Sequence, residues 1–153
     1  MYVLKDFSGG TDYIKLYKIL YFAHREQLAL TGIPLIYDNF KAWRYGPVPS
    51  FVGSVVKHIE NGDPLTSDME PFRGTLKVRK NKLVVSLKEP NSDAIRPLSR
   101  SLLDKYILKC KYKSAKALSK ESHDEAWFEA YYRLGYEADG SSTIRPLSHG
   151  CRG

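Results

Sequence analysis

The sequence predicts an α+β fold, mainly helical, organised as one domain around a small antiparallel β-hairpin. Three observations carry this reading. A long stretch near the start places its apolar residues at helical spacing, a central stretch switches to a period of two, and further helical stretches follow. The length of 153 residues suits one domain. A content of 42% hydrophobic residues, with 11 Tyr, 6 Phe and 2 Trp, supplies a core and argues against disorder over most of the chain. The domain is placed at residues 1–136, and residues 137–153 read as a Gly/Ser-rich, loosely held tail.

The first helix is expected over residues 11–31. Gly9-Gly10 loosens the chain before it, Thr11 or Ser8 can cap it, and Gly32 then Pro34 stop it. Tyr13, Tyr17, Leu20, His24 and Leu28 form one stripe, widened by Ile14, Leu16 and Tyr21, whereas Lys15, Lys18, Arg25 and Glu26 mark a wetter side. Phe40, Ala42, Trp43 and Tyr45 read as a short extended segment. Gly46-Pro47 and Pro49 are expected to end regular structure there, since proline lacks an N–H. A short helix over 50–60 buries Phe51, Val52, Val55, Val56 and Ile59, and Asn61-Gly62-Asp63-Pro64 closes it.

Over 74–88, Leu76 and Val78 alternate with Lys77 and Arg79, and Leu83, Val85 and Leu87 continue the alternation beyond Lys80-Asn81-Lys82, a hairpin pattern. Residues 99–110 return to helix with Leu102, Leu103, Tyr106, Ile107 and Cys110 on one side, and 115–118 read as a helical turn. Ser122-His123-Asp124-Glu125 fits a capping box for a helix carrying Trp127, Phe128, Tyr131 and Leu134.

Charge narrows the partner class without fixing it. Lys plus Arg number 24 and Asp plus Glu 17, a net +7 that favours nucleic acid, an acidic protein surface or anionic lipid. Two cysteines, Cys110 and Cys151, make no disulfide framework, which suits a reducing, cytoplasmic compartment. No apolar run is long enough to span a bilayer and no secretory signal is visible, so no membrane partner is expected.

The usual signatures of catalysis and cofactor binding are missing. There is no C-x-x-C, no His pair at i, i+4, no phosphate-cradling glycine loop and no G-x-S-x-G elbow. Gly9-Gly10-Thr11 is better read as a flexible lead into a helix than as an anion site. His24, His58, His123 and His149 are scattered. Cys110 falls on the apolar side of its helix, where packing explains it better than reactivity. Adjacent Asp124 and Glu125 favour the start of a helix rather than acid–base work. His24 reads as a core histidine hydrogen-bonded to a nearby backbone or hydroxyl group. His123, beside a cap, either orients the loop before Trp127 or touches a partner. No catalytic residue, metal or cofactor is therefore expected.

The densest charge feature is a run of Lys105, Lys109, Lys111, Lys113, Lys116 and Lys120, with no acid between them and with Tyr106 and Tyr112 interleaved. Such a run can meet phosphates while a tyrosine stacks on a base. The commoner explanation is a solvated helical face, and the absence of Arg and of a helix-turn-helix pattern leaves nucleic acid a secondary candidate.

Three blocks occur in order: Lys15-Leu16-Tyr17-Lys18-Ile19-Leu20-Tyr21-Phe22-Ala23, then Leu28-Ala29-Leu30-Thr31-Gly32-Ile33-Pro34-Leu35, then Ala42-Trp43-Arg44-Tyr45-Gly46-Pro47-Val48. A later block reads Leu118-Ser119-Lys120-Glu121-Ser122-His123-Asp124-Glu125-Ala126-Trp127. Together they resemble the SocA-like Panacea-domain antitoxins, a phage-associated family, with Ser122 where that family often has Thr. The resemblance spans roughly residues 12–134, and the A-W-x-Y-G-P-V block is its most specific part. It implies a non-enzymatic protein that neutralises a cognate toxin, in a bacterium or prophage, by direct protein–protein contact. The alternative is a small basic nucleic-acid-binding or regulatory protein of phage origin. Trp43, Arg44, Tyr45, Pro47 and Val48, joined by His123 and Trp127, are the candidate partner-binding residues: aromatic and Arg side chains on a Pro-stiffened loop suit a binding hot spot.

Overall fold

A computed structural model describes residues 2–132 and 139–145 of the chain. Its first helix, α1, runs Tyr13–Thr31 and is capped by Asp12, whose side chain accepts from the Lys15 N–H at 2.8 Å. Neither Thr11 nor Ser8 does this, because Thr11–Asp12 form a two-residue strand, β1, inside a sheet. Gly32 ends α1 in the left-handed region at φ 73°. Every residue from Leu16 to Ala23 is buried, so the middle of the helix is enclosed all round, while Arg25 and Ala29–Thr31 towards its end are exposed. The expected wetter side therefore fails at Lys18, which is 1% exposed.

Two three-stranded antiparallel sheets flank α1 in place of the single hairpin expected. Strands β2 (Phe40–Trp43) and β3 (Gly46–Pro49) pair with Ala42 opposite Pro47 and Phe40 opposite Pro49. The prolines thus continue regular structure rather than end it. The register explains why: the Ser50 N–H donates to the Asn39 carbonyl at 2.8 Å, so with a period of two the Pro47 and Pro49 nitrogens face away from β2. β3 is an edge strand, where a missing outward donor costs the ladder nothing. It leads directly into α2 (Ser50–Asn61), whose first N–H groups are held by Asp38, which accepts from Phe51 at 2.8 Å and Val52 at 3.1 Å.

The predicted hairpin is present as β4 (Leu76–Val78) and β5 (Leu83–Ser86), with β5 also pairing β1. Helix α3 (Pro97–Cys110) lies along α1 and carries Leu102, Leu103, Ile107 and Cys110 into the core. The expected turn at 115–118 is a full helix, α4 (Ala115–Ser122), capped by the Ser114 hydroxyl. Helix α5 spans Glu125–Tyr132. Its cap is Asp124, whose Oδ1 accepts from the Trp127 N–H at 2.8 Å. The Ser122 capping box is not formed, because Ser122 closes α4 and its hydroxyl donates to the Ser119 carbonyl. Strand β6 (Asp139–Thr143) falls in the stretch expected as a loose tail; it pairs with β2, and the Ile144 N–H donates to the Phe40 carbonyl at 2.7 Å. Leu134, His149 and Cys151 lie outside the described residues.

Candidate partner-binding site

The β2–β3 hairpin turns at Arg44-Tyr45, and this turn is where sequence motif and surface meet. Trp43 is 42% exposed and Tyr45 60% exposed, with the Arg44 guanidinium 5.6 Å from the Tyr45 ring centroid. With Tyr13, Tyr17, Tyr45 and Val48, Trp43 borders a cavity of about 670 Å³ beside the turn.

The underside of the turn is packed tightly. Pro47 is fully buried, and its carbonyl, pointing off the sheet edge, would lack a partner but for Lys18, whose Nζ donates to it at 2.9 Å. Burial pushes the Lys18 ammonium down to about 7, opposed by the Asp12 carboxylate. Gly46 completes the arrangement. Its φ is +111°, and a Cβ there would stand 2.8 Å from Lys18 Cε and closer still to the Ser122 hydroxyl. Only glycine satisfies both the backbone and the space.

The second motif block meets the same turn from the other side. Trp127 is 3% exposed; its indole N–H donates to the Trp43 carbonyl at 2.9 Å. His123 stacks on it with ring centroids 3.9 Å apart, and Tyr131 stacks at 4.5 Å. His123 is held below its ordinary value by burial and by the nearby Lys18 charge. Asp124 then ties the block to α1: one oxygen caps α5, while the other accepts from Tyr21 Oη at 2.7 Å and from Arg25 at 2.6 Å.

The candidate residues therefore divide. Trp43, Arg44 and Tyr45 offer accessible surface, and Val48 and His123 are half-buried. Pro47 and Trp127 are buried and hold the turn from behind, so a partner does not reach them in this conformation. Lys18, Tyr21, Arg25 and Asp124 were not singled out by sequence reasoning. The available signal for Lys18 was its place as the one charged residue in the otherwise apolar run 16–23.

The lysine run is less free than its sequence suggests. Tertiary structure brings Glu26 of α1 within 2.5 Å of Lys105, and Glu121 within 2.8 Å of Lys113. Each lysine's basicity is raised by its carboxylate partner. Tyr106 also donates to Glu26 at 2.9 Å, leaving Tyr112, 85% exposed, as the available aromatic, with Lys111 Nζ 5.9 Å from its ring. Cys110 is buried and burial raises its thiol to about 11, which suits packing rather than nucleophilic use. His24 departs from expectation: its ring packs on Phe40 at 5.1 Å, but Nδ1 has no hydrogen-bond partner among the described residues. Among those residues no group of three or more His, Cys, Asp and Glu is disposed to hold a metal ion, and no helix is long and apolar enough to cross a membrane.

Residues 16–128 match the family model described as antitoxin SocA-like, Panacea domain. The matched stretch contains Lys18, the hairpin turn and the His123–Trp127 block, the three parts that pack together here. No curated protein and no solved structure matches the chain.

Proposed function

The chain belongs to the SocA-like, Panacea-domain antitoxin family, and we propose that it neutralises a cognate toxin by direct protein–protein contact in the cytoplasm of a bacterium or prophage host, without catalysing a reaction. The family match over 16–128 is the observation that carries this reading. The exposed Trp43-Arg44-Tyr45 turn supports a contact surface there. Aromatic and Arg side chains dominate binding hot spots, and a turn already fixed from beneath by Lys18, Gly46 and Trp127 loses little freedom on binding.

Affinity capture of the tagged protein from its native host, after nuclease treatment and a moderate-salt wash, tests the reading. One small protein retained near stoichiometry, toxic when expressed alone and harmless when co-expressed with this chain, is the expected result. Arg44→Ala with Tyr45→Ala is expected to weaken that capture about tenfold or more, while leaving the fold intact. Retention of salt-labile nucleic acid with no protein favours the second reading, a basic nucleic-acid-binding protein of phage origin. The observation behind it is exposed Tyr112, with Lys111 Nζ 5.9 Å from its ring.

A further inference from the structure

The β2–β3 turn is held at both flanks by side chains remote in sequence. On one side the Trp127 indole N–H donates to the Trp43 carbonyl at 2.9 Å, and on the other Lys18 Nζ donates to the Pro47 carbonyl at 2.9 Å. His123 adjoins both fastenings. Its ring stacks on Trp127 with centroids 3.9 Å apart. A Cβ built on Gly46 would meet both Lys18 Nζ, at 2.9 Å, and the hydroxyl of Ser122, the residue before His123. A buried ammonium and an imidazole therefore share the space beneath Arg44-Tyr45.

That space accommodates one cation without provision for a second. His123 Nε2 is enclosed and has no hydrogen-bond partner among the described residues, so no acceptor waits there for the N–H of a charged ring. The adjacent Asp124 carboxylate already accepts from Tyr21, Arg25 and the Trp127 N–H. Lys18 of α1 acts on the ring as a like charge, with Asp12 as its own nearby carboxylate. Arg44 adds a guanidinium on the turn itself, 5.6 Å from the Tyr45 ring centroid.

We infer that Lys18, His123 and Trp127 form an acid-released clamp: a proton taken up by His123 puts a second cation beside Lys18, and the turn lifts away, which frees Trp43, Arg44 and Tyr45 and weakens binding of a partner held through them. The effect on a partner rests on the reading of this turn as the toxin contact; the loosening does not.

Burial and then the Lys18 charge hold His123 below its ordinary value of 6.5. The Arg44 backbone, Asp124 and the indole face act the other way without prevailing. An opened turn returns the ring to water and to its ordinary value, so opening is favoured as pH falls below 6.5. Lys18 contributes little in that range, because well below its folded value of about 7 it is protonated in both states. The turn is the element that gives, since Arg44 and Tyr45 are exposed whereas α1 and Trp127 belong to buried clusters.

The test measures backbone amide exchange of the whole chain at pH 6.5 and pH 5.0, each rate corrected for the intrinsic pH dependence of exchange. Protection of Gly46 and Val48, in the β2–β3 ladder, is expected to fall about three- to tenfold at the lower pH. In His123→Gln the fall is expected to shrink to less than about twofold. Imidazole chemical shifts are expected to show His123 titrating below 6.5, and closer to 6.5 in Lys18→Met, which removes the like charge. Equal protection at both pH values, a fall as large in His123→Gln, or a His123 titration at or above 6.5 overturns the clamp. If His123→Gln does not fold, the shift in Lys18→Met decides. The protein retained in affinity capture is then bound at the same two pH values. Weaker retention in acid by the wild type, and not by His123→Gln, is the expected consequence. A turn that loosens while retention stays undiminished overturns its role as the toxin contact and leaves the clamp standing.

Discussion

Lys18 of α1 and Pro47 of β3 are joined by a 2.9 Å bond from the ammonium Nζ to the carbonyl oxygen, and both residues are buried. The bond closes the one direction in which the hairpin's edge cannot be satisfied by its own sheet. It also places a titratable group beneath a turn whose upper face is exposed.

That placement makes folding stability depend on Lys18 ionisation. Its folded-state value is lowered from 10.5 to about 7, so between these values the unfolded chain holds a proton that the native chain has released. Stability therefore rises with pH across this window, by at most about 1.4 kcal/mol per pH unit for one group. Urea denaturation at pH 7 and pH 9 is expected to show the wild type gaining stability. Lys18→Met, although destabilised by leaving the Pro47 carbonyl unpaired, is expected to lose most of that gain.

The imidazoles act in the acid range. His24 and His123 are both lowered from 6.5, chiefly by burial. As pH falls below 6.5 the unfolded chain takes up protons that the native rings resist, so stability declines towards each folded-state value. Denaturation midpoints at pH 7.5 and 5.5 are expected to converge for the double variant His24→Phe, His123→Phe. A difference as large as in the wild type sinks this account.

Gly46→Ala tests the packing of the turn. The substitution places a methyl group against Ser122 and Lys18 on a backbone at φ +111°. The cost is expected to be about 2–4 kcal/mol, combining backbone strain with overpacking. Gly32→Ala is the control: it shares a positive φ, 73°, but has open space around it and is expected to cost less.

Asp124 joins three groups, and its variants separate them. Asp124→Ala removes the α5 cap and the bonds from Tyr21 and Arg25 together, an expected loss of about 3 kcal/mol. Asp124→Asn keeps a carbonyl oxygen able to cap and is expected to lose about half as much. Thermal or urea unfolding of the pair reads the difference.

The sequence by itself determined α1, α2 and α3, the β4–β5 hairpin and the glycine stops at Gly32 and Gly62. Apolar periodicity and Gly or Pro punctuation are local, and here the tertiary structure agrees with them. It also determined the family, because the A-W-x-Y-G-P-V block and the first helix are contiguous in the chain. Three further features arise only from long-range packing. Burial of Lys18 follows from β3 and α4 closing over a helix face that periodicity marks as wet. The paired state of Pro47 and Pro49 depends on which edge of β3 faces β2. Glu26 neutralises Lys105 from 79 positions away in the chain, so a lysine run without local acids is nevertheless partly paired. In each case the deciding partner is remote in sequence, and spacing along the chain carries no record of it.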